Sequence, residues 1–220
     1  MADTHKADLR HDAARILDLQ RAAQRKDGAP SVAVRRERLK ALGDMVRAGG
    51  EEFATAISAD FGNRSRFETA LLETMVTLSA IRHARKNIGW WMRSSQRDVD
   101  ITFWPGSAWV RREPLGVIGI ISPWNYPLQL ALSPLVDALA AGNRAIIKSS
   151  EQTPAFSELL KQKIGAAFGE DVVAVVTGGP DVAEAFSRLP FDHLVFTGST
   201  AIGRKVAQAT AEGLVPTTLE

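Results

Sequence analysis

Residues 116–126 of the chain, Gly-Val-Ile-Gly-Ile-Ile-Ser-Pro-Trp-Asn-Tyr, join a short apolar run to a polar turn. The run Val117–Ile121 is typical of a strand that is buried on both faces of a parallel sheet. A Ser-Pro pair ends it, and Pro127 opens an apolar stretch with helical character. Ligands of open α/β sheets bind outside the carboxyl ends of the strands. Asn125 therefore falls where an amide can donate a hydrogen bond to a developing oxyanion, and capping of the following helix is the alternative role.

From residue 115 onward the chain repeats one order of strand, loop and helix. The predicted strands are 116–121, 144–148, 172–176, 193–196 and 214–219, and the predicted helices are 128–141, 154–168, 181–188 and 201–211. Thr153 is the predicted N-cap of the second of these helices. Alternation of this kind predicts an α/β fold with a doubly wound parallel sheet.

The residues before position 98 are predicted to be helical, from the spacing of their apolar side chains. The first helix has an apolar face of Leu9, Ala13, Ile16 and Leu17. Gly49-Gly50 is expected to end the second helix, and a short third helix follows from Glu51 to Asp60. The fourth, from Arg66 to Met92, is expected to be the longest. Its predicted apolar face holds Leu71, Met75, Leu78, Ile81 and Ile88.

Residues 99–113 have a different pattern. Apolar residues alternate from Val99 to Phe103, a Pro-Gly turn signal follows, and apolar residues resume around Trp109. This pattern predicts a β-hairpin. The hairpin has no obvious place in a parallel sheet, so it is predicted to be an arm for subunit contact, and packing on its own domain is the alternative. The expected organisation is a helical segment (1–98), the hairpin (99–113) and a sheet domain (114–220).

The composition excludes several classes of protein. The chain of 220 residues is 45% hydrophobic and 24% charged with a net charge of +2, an ordinary globular mix without the basic stripe of a nucleic-acid binder. No apolar run approaches the roughly 18 residues of a membrane span, and the polar N-terminus lacks the apolar core of a signal peptide, so a cytoplasmic protein is expected. With 0 Cys and 4 scattered His, neither a disulfide nor a metal site is predicted.

Two further strand ends carry polar residues to the expected ligand edge. Lys148 and Glu151 can hold a phosphate and a ribose hydroxyl, and a salt-bridged loop is the alternative. The Gly-Ser-Thr sequence at 198–200 precedes a helix whose N-terminus suits a pyrophosphate, and a plain helix cap is the alternative. The fingerprint G-x-G-x-x-G is absent. The glycine spacing from 198 to 203 matches a P-loop but lacks the following Lys and Ser/Thr, so a nucleoside triphosphatase is not favoured.

Together these motifs resemble the aldehyde dehydrogenase superfamily over nearly the whole chain. The motifs are Pro-Trp-Asn at 123–125, Lys-Ser-Ser-Glu-Gln-Thr-Pro at 148–154, Phe-Thr-Gly-Ser-Thr at 196–200 and Thr-Leu-Glu at 218–220. Asp-Phe-Gly-Asn-Arg-Ser at 60–65, with Glu68 after it, and Leu-Pro-Phe-Asp-His at 189–193 are similar to the class 3 and coniferyl-aldehyde dehydrogenase branch. Ser149 departs from the pattern, because a proline is usual after the lysine.

The resemblance implies a Rossmann-like cofactor-binding half of an enzyme that oxidises an aldehyde substrate, aromatic and coniferaldehyde-like in this branch, to the carboxylic acid through a thiohemiacetal and a thioester. The implied cofactor is NAD, with NADP as an alternative. Asn125 is implied as the oxyanion donor and Glu220 as the general base that activates water. The implied cofactor-binding residues are Trp124, Lys148, Glu151, Gly179, Gly198 and Ser199.

The nucleophilic cysteine of the family falls beyond Glu220 in this alignment of motifs, and the chain has 0 Cys. We therefore expect these residues to be the front part of a longer chain, truncated before the catalytic domain and inactive alone, because the chemistry needs a thiolate. The full-length enzyme is expected to be a homodimer joined through the hairpin arm. The alternative is a natural truncation that acts as a non-catalytic nucleotide-binding or subunit-interaction module.

Overall fold

A computed structural model describes the backbone of residues 2–220 and the side chains of residues 12–220. The helices are α1 (Ala2–Asp27), α2 (Val32–Asp60), α3 (Arg66–Thr69), α4 (Met75–Trp91), α5 (Pro127–Ala141), α6 (Pro154–Ala167), α7 (Pro180–Ser187) and α8 (Thr200–Glu212). The strands are β1 (Ser95–Arg97), β2 (Ala108–Val110), β3 (Val117–Ile121), β4 (Arg144–Lys148), β5 (Val173–Val176), β6 (His193–Phe196) and β7 (Thr217–Leu219). Among the described residues no helix is both long and apolar enough to cross a membrane.

Five parallel strands form the central sheet, in the order β5-β4-β3-β6-β7. This is the Rossmann strand order, in which the direction of winding reverses between β3 and β6. The last paired residues are in register across the sheet: Ile121 pairs with both Lys148 and Phe196. The predicted doubly wound sheet is therefore confirmed, and the carboxyl ends of its strands form one row.

Helices cover both faces of this sheet because successive strand residues point to opposite sides. Ile118 and Ile120 of β3 belong to a core shared with α2, α4, α5 and α6. Val117 belongs to a second core shared with α1, α7 and α8. Gly119 faces that second core, where an added Cβ would lie 2.7 Å from side-chain atoms of Leu194 and Phe191. The glycine inside the apolar run thus permits close packing of the strand.

The helix predicted to stop at Gly49-Gly50 does not stop there. Helix α2 runs from Val32 to Asp60 without a break and is the longest described helix. A Cβ at Gly49 would lie 2.9 Å from the ring of Phe53, which is fully buried. Gly49 therefore serves close side-chain packing within one helix, and burial of this helix outweighs the low helix propensity of glycine.

The apolar face predicted for residues 66–92 was also wrong in its first half. Leu71 is 39% and Met75 51% exposed, whereas Glu73 is fully buried. A π-helical turn, Ala70–Thr74, joins α3 to α4 and changes which side chains point inward. The buried positions of this helical region are Thr69, Glu73, Thr77, Ile81, Ala84 and Ile88.

The hairpin exists, but its first strand lies earlier than predicted. Strand β1 pairs antiparallel with β2, with Gln96 opposite Trp109. Residues Ile101–Phe103, predicted to be strand, form a 3₁₀ turn instead. The Asp100 carboxylate accepts hydrogen bonds from the Thr102 N–H at 2.9 Å and the Thr102 hydroxyl at 2.7 Å, which starts this turn. Local side-chain capping therefore overrides the apolar alternation.

Other boundaries differ only at their ends, as for the last strand, which shortens from 214–219 to β7. In α1, the predicted apolar residues Ala13, Ile16 and Leu17 are buried. Leu9 lies outside the residues whose side chains the structure describes.

Candidate cofactor and oxyanion site

Every residue predicted to bind or react lies at the carboxyl edge of the sheet. Trp124 and Asn125 follow β3, Lys148 ends β4 and Glu151 follows it, Gly179 follows β5, Gly198 and Ser199 follow β6, and Glu220 follows β7. Because the strand ends are in register, these positions share one rim of the molecule. The chain continues from β3 into α5 on one face and from β6 into α8 on the other. The loops that carry Asn125 and Ser199 thus flank the point where ligands of open α/β sheets bind.

The Asn125 side chain is exposed and makes no hydrogen bond with any described residue. It does not cap α5: the N-cap position is Tyr126, and no side chain of the cap residue bonds to the helix. The alternative role considered for this residue was therefore wrong. Its amide N–H groups remain available to a ligand at the rim.

Glu73 caps α5 in its place. One carboxylate oxygen of Glu73 accepts hydrogen bonds from the N–H of Leu128 at 2.7 Å and of Gln129 at 3.3 Å. Glu73 is fully buried, and burial raises the pKa of its carboxyl group, against the two backbone hydrogen bonds and the charge of Arg64. The N-terminus of α5 therefore already has an acidic partner.

Asp60 does the same for α6. Its two carboxylate oxygens accept hydrogen bonds from the N–H of Ala155 at 3.0 Å and of Phe156 at 2.9 Å. Thr153 occupies the predicted N-cap position, but its side chain makes no capping bond; its hydroxyl donates to the Ser150 carbonyl at 3.5 Å. The Asp60 carboxylate thus satisfies donors that the local sequence leaves open.

The N-terminus of α8 is different, because its cap is neutral. The Ser199 hydroxyl accepts a hydrogen bond from the N–H of Ile202 at 3.4 Å. The helix-cap alternative for Ser199 is thus present, and it leaves the partial positive charge of the helix uncompensated. Gly198 is needed beside it, since a Cβ there would lie 2.7 Å from the ring of Phe196. A helix start with this charge and no side chain on its glycine suits an anionic group.

Lys148 and Glu151 lie together at the end of β4. Lys148 is 1% exposed, and its ammonium donates to the Ser149 carbonyl at 2.6 Å. The ammonium also lies 3.6 Å from a Glu151 carboxylate oxygen. Burial lowers the pKa of Lys148, and the charge of Glu151 opposes that shift. The salt-bridged loop is therefore present, and the partly exposed Glu151 carboxylate keeps acceptor positions for hydroxyl groups.

Gly179 occupies the N-cap position of α7, which has no side-chain cap bond. The preceding Gly178 has φ +137°, and a Cβ there would lie 2.7 Å from Val182. A side chain at position 178 would be strained and crowded. The end of β5 therefore carries two successive residues without side chains at the rim.

Asn125 and Glu220 line different clefts. Asn125 lines a cleft of about 410 Å³ with Arg64 and Tyr126. Glu220 lines a second cleft, of about 400 Å³, with Asp137 on its wall. Burial, and then the charge of Glu220, raises the pKa of Asp137. The structure therefore brings the two predicted catalytic residues to one rim without joining them in one cleft.

Sequence reasoning missed the residues that support the rim, namely Asp60, Arg64 and Glu73. In the sequence, the motif at 60–65 indicated only a family resemblance. Its contacts with α6 and with the Asn125 loop are visible only in the folded protein. Glu73 gave no signal of its burial in the sequence, because it lies between the apolar residues Leu71 and Met75 and only the structure shows it to be buried. Among residues 12–220, whose side chains are described, no cluster of His, Cys, Asp and Glu is arranged to hold a metal ion.

Known proteins with similar sequences belong to one family. The model of the "Aldehyde dehydrogenase family" matches residues 1–220. A probable coniferyl aldehyde dehydrogenase of Pseudomonas aeruginosa is 50% identical over 201 residues, which are 91% of this chain and 42% of that protein. The chain thus spans less than half the length of this relative.

Solved structures have the same fold. The substrate-bound state of Staphylococcus aureus AldH superposes with a TM-score of 0.90 at 34% identity, covering 94% of this chain and 45% of that one. PnpE in complex with nicotinamide adenine dinucleotide superposes with a TM-score of 0.82 at 29% identity, covering 93% of this chain and 42% of that one. From the family match and these similarities, the chain belongs to the aldehyde dehydrogenase family.

Proposed function

We propose that this chain is the cofactor-binding part of an NAD(P)-dependent aldehyde dehydrogenase, which oxidises an aromatic, coniferaldehyde-like aldehyde to its carboxylic acid. The observation that carries the proposal is the switch point between β3 and β6. There, the neutrally capped start of α8 at Ser199 and the Asn125 amide, which bonds to no described residue, follow neighbouring strands of the sheet. One feature suits a dinucleotide and the other suits a carbonyl oxygen.

The residues of the rim fit a dinucleotide in the proposed roles. The start of α8, with Gly198 and Ser199, would hold the pyrophosphate. Lys148 and Glu151 would contact the adenosine ribose, Gly179 would lie beside the adenine, and Trp124, which is 45% exposed, would lie along the cofactor. When bound, the nicotinamide supplies the hydride acceptor. The Glu151 carboxylate favours NAD over NADP, because it would repel a 2′-phosphate.

In the proposed reaction Asn125 donates its amide N–H to the carbonyl oxygen as negative charge develops there. Such a donor is worth about 3–4 kcal/mol of barrier lowering in acyl-type chemistry. Glu220 is proposed as the base that takes a proton from the attacking water. The 220 residues contain 0 Cys, so we propose that the nucleophilic thiol lies outside them and that they do not oxidise aldehydes alone.

The hairpin is proposed as the contact arm of a homodimer. Its apolar side chains are exposed: Ile101 by 77%, Phe103 by 70% and Trp109 by 60%. Exposed apolar surface of this kind is typical of an interface with another protein and supports the proposal. The competing function, a non-catalytic nucleotide-binding or subunit-interaction module, uses the same arm and the same rim without the chemistry.

Calorimetric titration tests the cofactor site on the chain itself. We expect NAD to bind with one saturable transition, and Glu151→Gln to shift preference toward NADP relative to NAD. Incubation with NAD and coniferaldehyde should give no steady NADH absorbance at 340 nm. No binding of either dinucleotide would overturn the proposed site, and steady NADH production would overturn the need for a thiol.

A further inference from the structure

The segment Phe61–Arg64 contacts each residue of the loop that carries the proposed oxyanion donor. The rings of Phe61 and Trp124 lie 5.8 Å apart between centroids. A guanidinium nitrogen of Arg64 donates to the backbone carbonyl of Asn125 at 2.5 Å. The same guanidinium lies 4.6 Å from the ring centroid of Tyr126. The cofactor chemistry described above uses none of these contacts.

Aromatic rings and carboxylates both hold the Arg64 side chain in this position. Its guanidinium carbon lies 4.9 Å from the ring centroid of Phe61, so the cation is in contact with two aromatic rings. Its side chain is only 6% exposed. Glu68 and the fully buried Glu73 lie 3.2 Å and 3.5 Å from the same guanidinium nitrogen. The planar guanidinium stacks on rings, pairs with carboxylates and donates to a carbonyl at the same time. A lysine ammonium cannot reproduce this geometry.

The Arg64 contact acts on the backbone of Asn125, through the carbonyl that accepts its hydrogen bond. A hydrogen bond to the Asn125 carbonyl restrains the peptide plane that follows Asn125, and so restrains the orientation of the Asn125 Cα from which the side chain projects. The Asn125 side chain itself makes no hydrogen bond with the described residues, so its direction depends on the backbone that carries it. Because a displacement of about 1 Å can cost about 100-fold in rate, such a support has a measurable effect.

We propose that Arg64 is a positioning residue that holds the loop Trp124–Tyr126 so that the Asn125 amide points at the developing oxyanion. The proposal rests on the proposed function for its catalytic consequence. Its structural part, restraint of Asn125 by the Arg64 side chain, is independent of any reaction.

Nuclear magnetic resonance of the chain tests the structural part. In Arg64→Lys the charge beside Glu73 remains, but the fork and the stacking are lost. We expect the Asn125 backbone and side-chain amide signals to shift and their heteronuclear NOE to fall, while signals from the first turn of α8 stay in place. Arg64→Ala should enlarge the effect. If it does not fold, the lysine variant still decides the question.

Arg66 provides the matched control, since its side chain is 60% exposed and pairs with Glu51 at 3.0 Å. Arg66→Lys and Arg66→Ala should leave the Asn125 signals unchanged. Asn125 signals in Arg64→Lys that match the wild type, or that change equally in the Arg66 variants, would overturn the proposal.

Kinetics test the catalytic consequence in a polypeptide that joins this segment to the thiol-bearing part of the family fold. We expect Arg64→Lys to lower kcat by about 10- to 100-fold with a nearly unchanged KM for the aldehyde. Arg66→Lys should leave both constants at wild-type values. Unchanged kcat in Arg64→Lys would overturn the positioning role. If the parent polypeptide oxidises no aldehyde, the proposed function fails, and the Asn125 signals still decide whether Arg64 restrains the loop.

Discussion

The N-termini of α5 and α6 differ from that of α8 in the charge of the group that caps them. Glu73 and Asp60, both from the N-terminal helical segment, place carboxylates on the first two. Ser199 places a neutral hydroxyl on the third. A carboxylate accepts hydrogen bonds from the free N–H groups and also compensates the helix dipole. A neutral hydroxyl accepts one hydrogen bond but does not compensate the dipole. The N-terminal helical segment thus places carboxylates on the starts of α5 and α6 and leaves the start of α8 for an anionic ligand.

Removal of the carboxylate that caps α5, in Glu73→Ala, should have the largest effect on stability. Glu73→Ala leaves the first N–H groups of α5 without their acceptor and takes one of two neighbouring carboxylates, the fully buried one, from Arg64. We expect the free energy of unfolding to fall by about 3–5 kcal/mol, measured by urea denaturation. Glu68, whose side chain is 42% exposed, provides the control. Glu68→Ala should cost less than about 1 kcal/mol, and equal losses in the two variants would contradict the role given to Glu73.

Giving α8 the same kind of cap as α5 and α6 should remove its ligand. Ser199→Asp remains a good N-cap, so the free energy of unfolding should change by less than about 0.5 kcal/mol. The added negative charge should weaken NAD binding by about tenfold or more, measured by calorimetry. Ser199→Ala should show the opposite pattern, with about 1 kcal/mol lost from stability and a smaller loss of affinity. NAD affinity at the wild-type value in Ser199→Asp would show that the pyrophosphate binds elsewhere.

Removing the cap of α6 should affect stability alone. Asp60→Ala loses both acceptors of Ala155 and Phe156, at an expected cost of about 1–2 kcal/mol in thermal or urea unfolding. Asp60→Asn keeps one acceptor oxygen and should lose less. NAD affinity should stay at the wild-type value in both variants. A selective loss of affinity in Asp60→Asn would mean that the charge of this cap, and not only its hydrogen bonds, acts on the rim.

The pH dependence of stability should show the smallest effect. Burial raises the pKa of Glu73 above its ordinary value of 4.5. At pH values between the ordinary pKa of the unfolded chain and the raised pKa of the folded protein, the folded protein binds more protons than the unfolded chain. The Glu73 carboxyl group therefore makes the free energy of unfolding fall as pH rises. Glu73→Gln cannot titrate and should remove that slope. Urea denaturation of both proteins from about pH 4 to about pH 7 measures it, and parallel curves would contradict the raised pKa.

The outcome for particular elements shows how far sequence patterns reach. The run Val117–Ile121 and the turn after it predicted the strand, the loop and the helix correctly, because each signal lies within a few residues. The Gly49-Gly50 stop failed because packing against Phe53 decides that position. The strand predicted at 101–103 failed because one carboxylate, Asp100, caps a turn there. The apolar face at Leu71 failed because a π-helical turn changes the register.

For this protein the sequence alone determined the parallel sheet, the edge of the sheet that carries the functional loops, and the placement of Asn125 and Ser199 on that edge. These features follow from local burial patterns and from the rule that parallel strands end together. Only the tertiary structure decided which helix starts are neutralised and what holds the Asn125 loop. Those roles belong to Asp60, Arg64 and Glu73, whose partners lie more than fifty residues away along the chain. Contacts at such separations leave no periodicity in the sequence, because folding alone brings the two groups together.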